Sequence, residues 1–173
     1  KRLPPNLLRS GTRKPMALFV GVQGFDDVVR QLERDGHRVC IAADFDSACR
    51  WFAGNLADVV VCGPPHRHFD SLALLRAAKE MQPQCERFVL ADSRHWRTVG
   101  AAANDGTAHR LFRLPLQPET LRQIVEEALL RRRMSEDYER VTEEAETAAR
   151  ELVRVEEERR RLEQEYRSLK LHE

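Results

Sequence analysis

Residues 57–76 read ADVVVCGPPHRHFDSLALLR. The run Val59-Val60-Val61-Cys62 is apolar at every position, without the alternation of a half-exposed strand, and it stops at Gly63-Pro64-Pro65. Leu72, Leu74, Leu75 and Ala78 then recur at helical spacing up to Pro83. A short unbroken apolar run followed by an amphipathic helix is the signature of a strand buried on both faces. The same unit recurs on either side. Ala17 to Val20 ends at Gly21 and leads into a helix from Phe25 to Arg34, opened by Asp26 and Asp27, which suit the helix dipole. His37 to Ala42 is a second strand, and Asp46-Ser47 starts a helix carrying Ala48, Trp51 and Phe52. Phe88 to Leu90 and Arg110 to Phe112 are the fourth and fifth strands, with helices marked by Trp96, Val99 and Ala102 and then by Leu121, Ile124, Val125 and Ala128. Pro118 stands in the first turn of that last helix, where proline is favoured. Strands alternating with helices predict an α/β fold, a five-stranded parallel doubly wound sheet with right-handed crossovers. A strand order of 2-1-3-4-5 puts the ligand crevice between the ends of strands one and three, at Gly21-Val22 and Cys62-Gly63.

Composition sets limits on function. The chain has 173 residues, a formal net charge of +1, 33% charged and 6% aromatic residues. No bulk field draws it to nucleic acid or membrane, and no apolar run approaches the ~20 residues of a membrane span. Cys40, Cys49, Cys62 and Cys85 form no C-x-x-C pair, so a reducing, cytoplasmic location is expected. Three parts are expected: a flexible basic arm over 1–15, a globular domain over 16–130, and a helical extension over 131–173.

Three segments carry a family resemblance. LERDGHRVCIAAD (32–44), ADVVVCGPPHRHFDSLALLR (57–76) and AANDGTAHRLFRLPL (102–116) stand in the order and spacing of the receiver domain of response regulators. The resemblance covers about residues 16–130 and implies the flavodoxin-like topology. Receivers transfer a phosphoryl group to an aspartate ending strand three. Two acids after strand one hold Mg²⁺, a Thr or Ser ends strand four, and a Lys precedes the strand-five proline. Placed on this sequence, the acid pair falls on Gly21 and Val22 and the acceptor on Gly63. The hydroxyl falls on Ala91, the switch aromatic on Leu111 and the lysine on Leu114. The resemblance thus implies a degenerate receiver, a pseudo-receiver, with neither nucleophile nor Mg²⁺ ligands. No cofactor, no catalytic residue and no enzymatic activity are expected.

Cys62, His66, His68 and Asp70 are metal-ligand types within nine residues. Their C-x₃-H-x-H spacing matches no familiar zinc arrangement, and a solvated polar loop is the preferred reading.

From Arg131 the chain is a charged helix without Gly or Pro. A heptad stripe places Tyr138, Ala145, Leu152, Arg159 and Tyr166 at a positions, and Met134, Val141, Ala148, Val155, Leu162 and Leu169 at d. So narrow an apolar stripe needs a partner helix, and a homodimeric coiled coil of about 65 Å is expected. Its orientation is left open by the e and g charges. Arg131-Arg132-Arg133 reads as a helix-surface cluster that contacts partner acids.

The leading expectation is a phosphorylation-independent module of bacterial two-component signal transduction. It acts through protein–protein interaction, and the coil hands the signal to another signalling protein or a fused output domain. The alternative is a sensor that binds a ligand or metal in the emptied crevice, gated by the His66–Asp70 loop. A nucleic-acid-binding regulator has the least support, since the basic run continues into an acid-rich helix.

Overall fold

In the computed structural model, which describes residues 13–170, β1 is Met16–Val20, α1 Asp26–Arg34, β2 Arg38–Ala42, α2 Phe45–Phe52 and β3 Val59–Cys62. They are followed by α3 Ser71–Met81, β4 Glu86–Ala91, α4 Trp96–Asn104, β5 Arg110–Arg113 and α5 Pro118–Lys170. All five strands are parallel, in the order β2-β1-β3-β4-β5. The register keeps the carboxyl ends level: Val20 lies beside Ala42 and Cys62, Cys62 beside Val89, and Ala91 beside Arg113.

Alternation along each strand splits the core in two. Leu18, Val20, Val60, Cys62, Val89 and Ala91 face α2, α3 and α4, while Ala17, Phe19, Val59, Val61, Phe88 and Leu90 face α1 and α5. Every residue of β1 and β3 is buried, which accounts for their uninterrupted apolar sequences.

One helix start differs from the sequence expectation. α2 begins at Phe45 because Asp44 forms a capping box: its carboxylate accepts the Ser47 N–H at 2.7 Å, and the Ser47 hydroxyl accepts the Asp44 N–H at 3.1 Å. Similar local bonds hold other acids. Asp105 accepts the Thr107 N–H, and Glu119 accepts from Arg122 and Gln123. Hydrogen bonds to the charged form lower the pKa of Asp44, Asp105 and Glu119. Carboxylates lowered on folding contribute stability that is fully present above about pH 4 and is lost as the pH falls through their folded values. Acid titration followed by circular dichroism should show stability falling below about pH 4, with a smaller fall in Asp44→Asn.

The amino-terminal end of the sheet is closed by Asp58, which is 2% exposed. Its carboxylate accepts the Met16 N–H at 2.7 Å and an Arg13 guanidinium N–H at 2.8 Å, and Arg132 of α5 approaches to 3.7 Å. Two expectations are corrected here. Arg13, assigned to a flexible arm, is held by Asp58 and the Leu56 carbonyl, whereas residues 1–12 lie outside the described residues. Arg131 and Arg132 meet acids of their own chain: Arg131 pairs with Glu127 and Glu86, and Arg132 with Asp58. A buried carboxylate attracts any cation whose side chain can reach it. Asp58→Asn is expected to cost about 2 kcal/mol by denaturant melting, because charge-assisted bonds are replaced by weaker ones.

The chain divides into two compact units, residues 1–133 and 134–173. In the first, Leu121, Val125, Ala128 and Leu129 of α5 are buried against the sheet. In the second, every described residue of the helix except the half-buried Glu136 is exposed, and Met134, Tyr138, Val141, Leu152, Val155, Leu162, Tyr166 and Leu169 are 57–75% exposed. Arg159 pairs with Glu163 on its own helix at 3.6 Å. No helix among the described residues is long and apolar enough to cross a membrane.

Candidate functional site

The crevice lies where the strand order reverses, at the carboxyl ends of β1 and β3. Gly21 follows β1 with φ +62°, a left-handed conformation that suits glycine. Its N–H is bonded to the Ala42 carbonyl, and the Gly63 N–H to the Val20 carbonyl at 2.9 Å. These bonds bring the two glycine backbones together. A Cβ on Gly63 would lie 2.0 Å from the Gly21 carbonyl oxygen and 2.7 Å from its carbon. A Cβ on Gly21 would lie 2.9 Å from the ring of Phe69, which is 3% exposed. Phe69 is therefore seated on Gly21, and the β1 loop is closed onto the end of β3. The end of β3 has no room for a side chain of any kind.

The other positions follow from the strand ends. Ala91, the last residue of β4, is buried, and Leu114 follows β5 in a cis peptide bond with Pro115. Leu111 packs on the α2–α4 side, whereas Phe112 turns to the opposite face and meets Phe88 edge-on, with centroids 5.6 Å apart. A slip of one residue along β5 would move each side chain to the wrong face. Val22 packs against the α1/α5 core cluster. Asp26 and Asp27 lie in the first turn of α1, with Asp27 bonded to Arg30. The residues at the strand ends do not fit a Mg²⁺–phosphoryl centre. No carboxylate stands at Gly21, Val22 or Gly63, and a Cβ at Gly63 meets backbone.

Nor does the polar loop gather a metal site. Among the described residues no three His, Cys, Asp or Glu side chains converge on one point. Cys62 is fully buried in the α2–α4 core, and burial pushes its thiol far above the ordinary value, so it stays protonated. Asp70 caps α3 by accepting the Ala73 N–H at 2.9 Å. His66 accepts the His68 N–H at Nδ1, and its ring lies against Phe69. Capping and burial thus occupy two of the four candidates.

A cavity of about 540 Å³ opens beside the closed glycines, between the loops that follow β1, β3, β4 and β5. Its polar lining contains a pair that sequence reasoning missed. The Asp92 carboxylate accepts the N–H groups of Arg94 and His95, each at 3.0 Å, and lies 2.8 Å from His95 Nδ1. Partial burial raises the Asp92 pKa, but the bonds from His95 and the charges of His95 and Arg94 outweigh it, so the group stays below the usual carboxylate range. The lining holds no serine, threonine or cysteine for this carboxylate–imidazole pair to activate. Two sequence signals pointed this way: an acid three residues before a histidine at a helix start, and one apolar residue, Phe69, inside a polar loop.

No family model matches the chain, and no curated protein is significantly similar to it. Solved structures are. A response regulator receiver domain protein from Clostridium thermocellum superposes with a TM-score of 0.59 at 20% identity, covering 70% of this chain and 98% of that one. A CheY-like receiver domain protein from Methanospirillum hungatei gives 0.61 at 17% identity, covering 71% and 99%. The fold is a receiver fold. A structure named adenylate cyclase, from Rhodopirellula baltica, shares the same frame, with a TM-score of 0.65 at 14% identity over 76% and 98% of the two chains. At these identities the likeness defines the architecture of the receiver fold, while the chemistry rests on the residues in the crevice.

Proposed function

We propose that this chain is a signal-transduction module in which a receiver-fold domain works without phosphoryl transfer and a coiled-coil helix brings two copies together. The observation that carries the first half is the closure of Gly21 onto Gly63, which occupies the space an acceptor side chain would need. Signals then enter and leave by contact with another signalling protein or a fused output domain. The second half is supported by the heptad register of the exposed apolar residues from Met134 to Leu169. Weak seam residues (Ala145, Ala148 and Arg159) suit a coil that changes register at modest cost. Acetyl phosphate or beryllofluoride with Mg²⁺ is expected to leave both the mass and the amide NMR spectrum unchanged. A phosphoryl adduct, or a shift of crevice amides, would overturn the phosphorylation-independent reading.

A second reading is favoured by one feature, the cavity beside the closed site. It has the size of a small-molecule site and is lined by both apolar and charged groups. In that reading the module senses a ligand, and the loop carrying His66 and Arg67 forms one wall.

A further inference from the structure

The cavity joins two unlike surfaces. Phe25, Leu90 and Leu114, with Pro64 and Pro65, make an apolar wall, and Arg67 and Arg94 stand at the same opening. Asp92 is the one carboxylate in the lining, so two arginines less one aspartate leave a formal charge of +1 with both lining histidines neutral. Asp92 is moreover engaged by Arg94 and His95, through two backbone N–H groups, the imidazole and, at 3.5 Å, the Arg94 guanidinium, so Arg67 is the first anchor for an added anion and Arg94 the second. Arg67 has no hydrogen-bond or ion-pair partner among the described residues, and neither has His95 Nε2. A planar guanidinium that no acid among the described residues claims, beside an apolar wall, is suited to a carboxylate or phosphate carried on an apolar body. Low-dielectric walls strengthen that attraction relative to open water.

We propose that this cavity binds a small organic anion with a flat apolar body, the anionic group on Arg67 and Arg94 and the body against Phe25, Leu90 and Leu114. The proposal rests on the sensing reading of the crevice and names its ligand class. Neither half of such a ligand suffices. Acetate and inorganic phosphate lack the body, and an uncharged aromatic lacks the anchor. About 540 Å³ accommodates a two-ring acid, within the ~300–1,000 Å³ of small-molecule sites.

The test is calorimetric titration of the full chain with 2-naphthoate as probe, beside 2-naphthalenemethanol, acetate and inorganic phosphate. Naphthoate is expected to bind saturably at one per chain, with each of the others at least about tenfold weaker, the worth of one charge-assisted bond or of the buried rings. Arg67→Gln with Arg94→Gln should weaken naphthoate by at least about tenfold while the melting temperature holds, since both side chains are exposed and Arg94 is 87% so. Equal binding of naphthoate and the alcohol, or indifference to the double substitution, would overturn the anion class and leave a sensing cavity standing. Acetate or phosphate binding as well as naphthoate would overturn the role of the apolar wall. Saturable binding by none of the four would overturn both the ligand class and the sensing reading.

Discussion

Gly63→Asp is expected to destabilise the domain and to gain no phosphoryl group. The substitution places an aspartate just after β3, the position that the receiver resemblance assigns to a phosphoryl acceptor. The geometry opposes it before the carboxylate is reached: the first side-chain carbon would stand 2.0 Å from the Gly21 carbonyl oxygen. The obstacle is backbone: the Gly21 N–H is bonded to the Ala42 carbonyl, and the Val20 carbonyl of the preceding peptide accepts the Gly63 N–H. It cannot rotate away as a flexible side chain would. Overpacking a well-packed core costs roughly 1–3 kcal/mol and sometimes more. A contact with bonded backbone belongs at or above the top of that range, about 3 kcal/mol. For a domain of this size that lowers the melting temperature by roughly 10 °C. Gly63→Ala should lose nearly as much, because the clash lies at Cβ. If the aspartate variant melts like the parent and gains mass with acetyl phosphate, the closed-site reading fails.

The second large effect concerns the helix from Met134. The full chain is expected to scatter light as a particle of twice 20.0 kDa, and Leu152→Ala or Leu162→Ala to weaken that dimer by about 100-fold each. Both leucines stand in the heptad stripe and are 65% and 59% exposed in the single chain. Each truncation removes three carbons per chain, and so six from the paired seam. At ~0.8 kcal/mol per buried methylene, discounted by about half for the incomplete burial of a two-stranded seam, the loss is about 2.5 kcal/mol. Val153 is 56% exposed but lies off the stripe, so Val153→Ala should leave the dimer intact. Equal sensitivity at all three positions would argue for general helix destabilisation. A parent chain that scatters as a monomer would remove the dimer altogether.

Much of the architecture was legible because the signals are local. Val59 to Cys62 has no polar residue since both faces of the strand are covered, and that needs no knowledge of the partner helices. Counting along the apolar runs placed Gly63, Ala91 and Leu114 at strand ends, and in the structure Gly63 follows β3, Ala91 ends β4 and Leu114 follows β5. The two corrections near Asp58 share a cause. Its charge partners, Arg13 and Arg132, are 45 and 74 residues away in sequence, so no local pattern announces them. Asp70 is a different case, because its partner is the Ala73 N–H three residues on: its carboxylate looks like a metal ligand beside two histidines until the start of α3 claims it as a cap.

By itself the sequence determined the order of strands and helices, which residues stand at the strand ends, and the heptad stripe of the last helix. These depend on periodicity and identity, which chain order carries in full. Only the tertiary structure decided how the crevice is filled. Gly63 and Gly21 are 42 residues apart, and Phe69 belongs to a third segment. That the glycines close on one another, leaving a cavity beside them, follows from parallel pairing of β1 with β3. Steric exclusion acts between atoms in space, and it appears only once the strands are side by side.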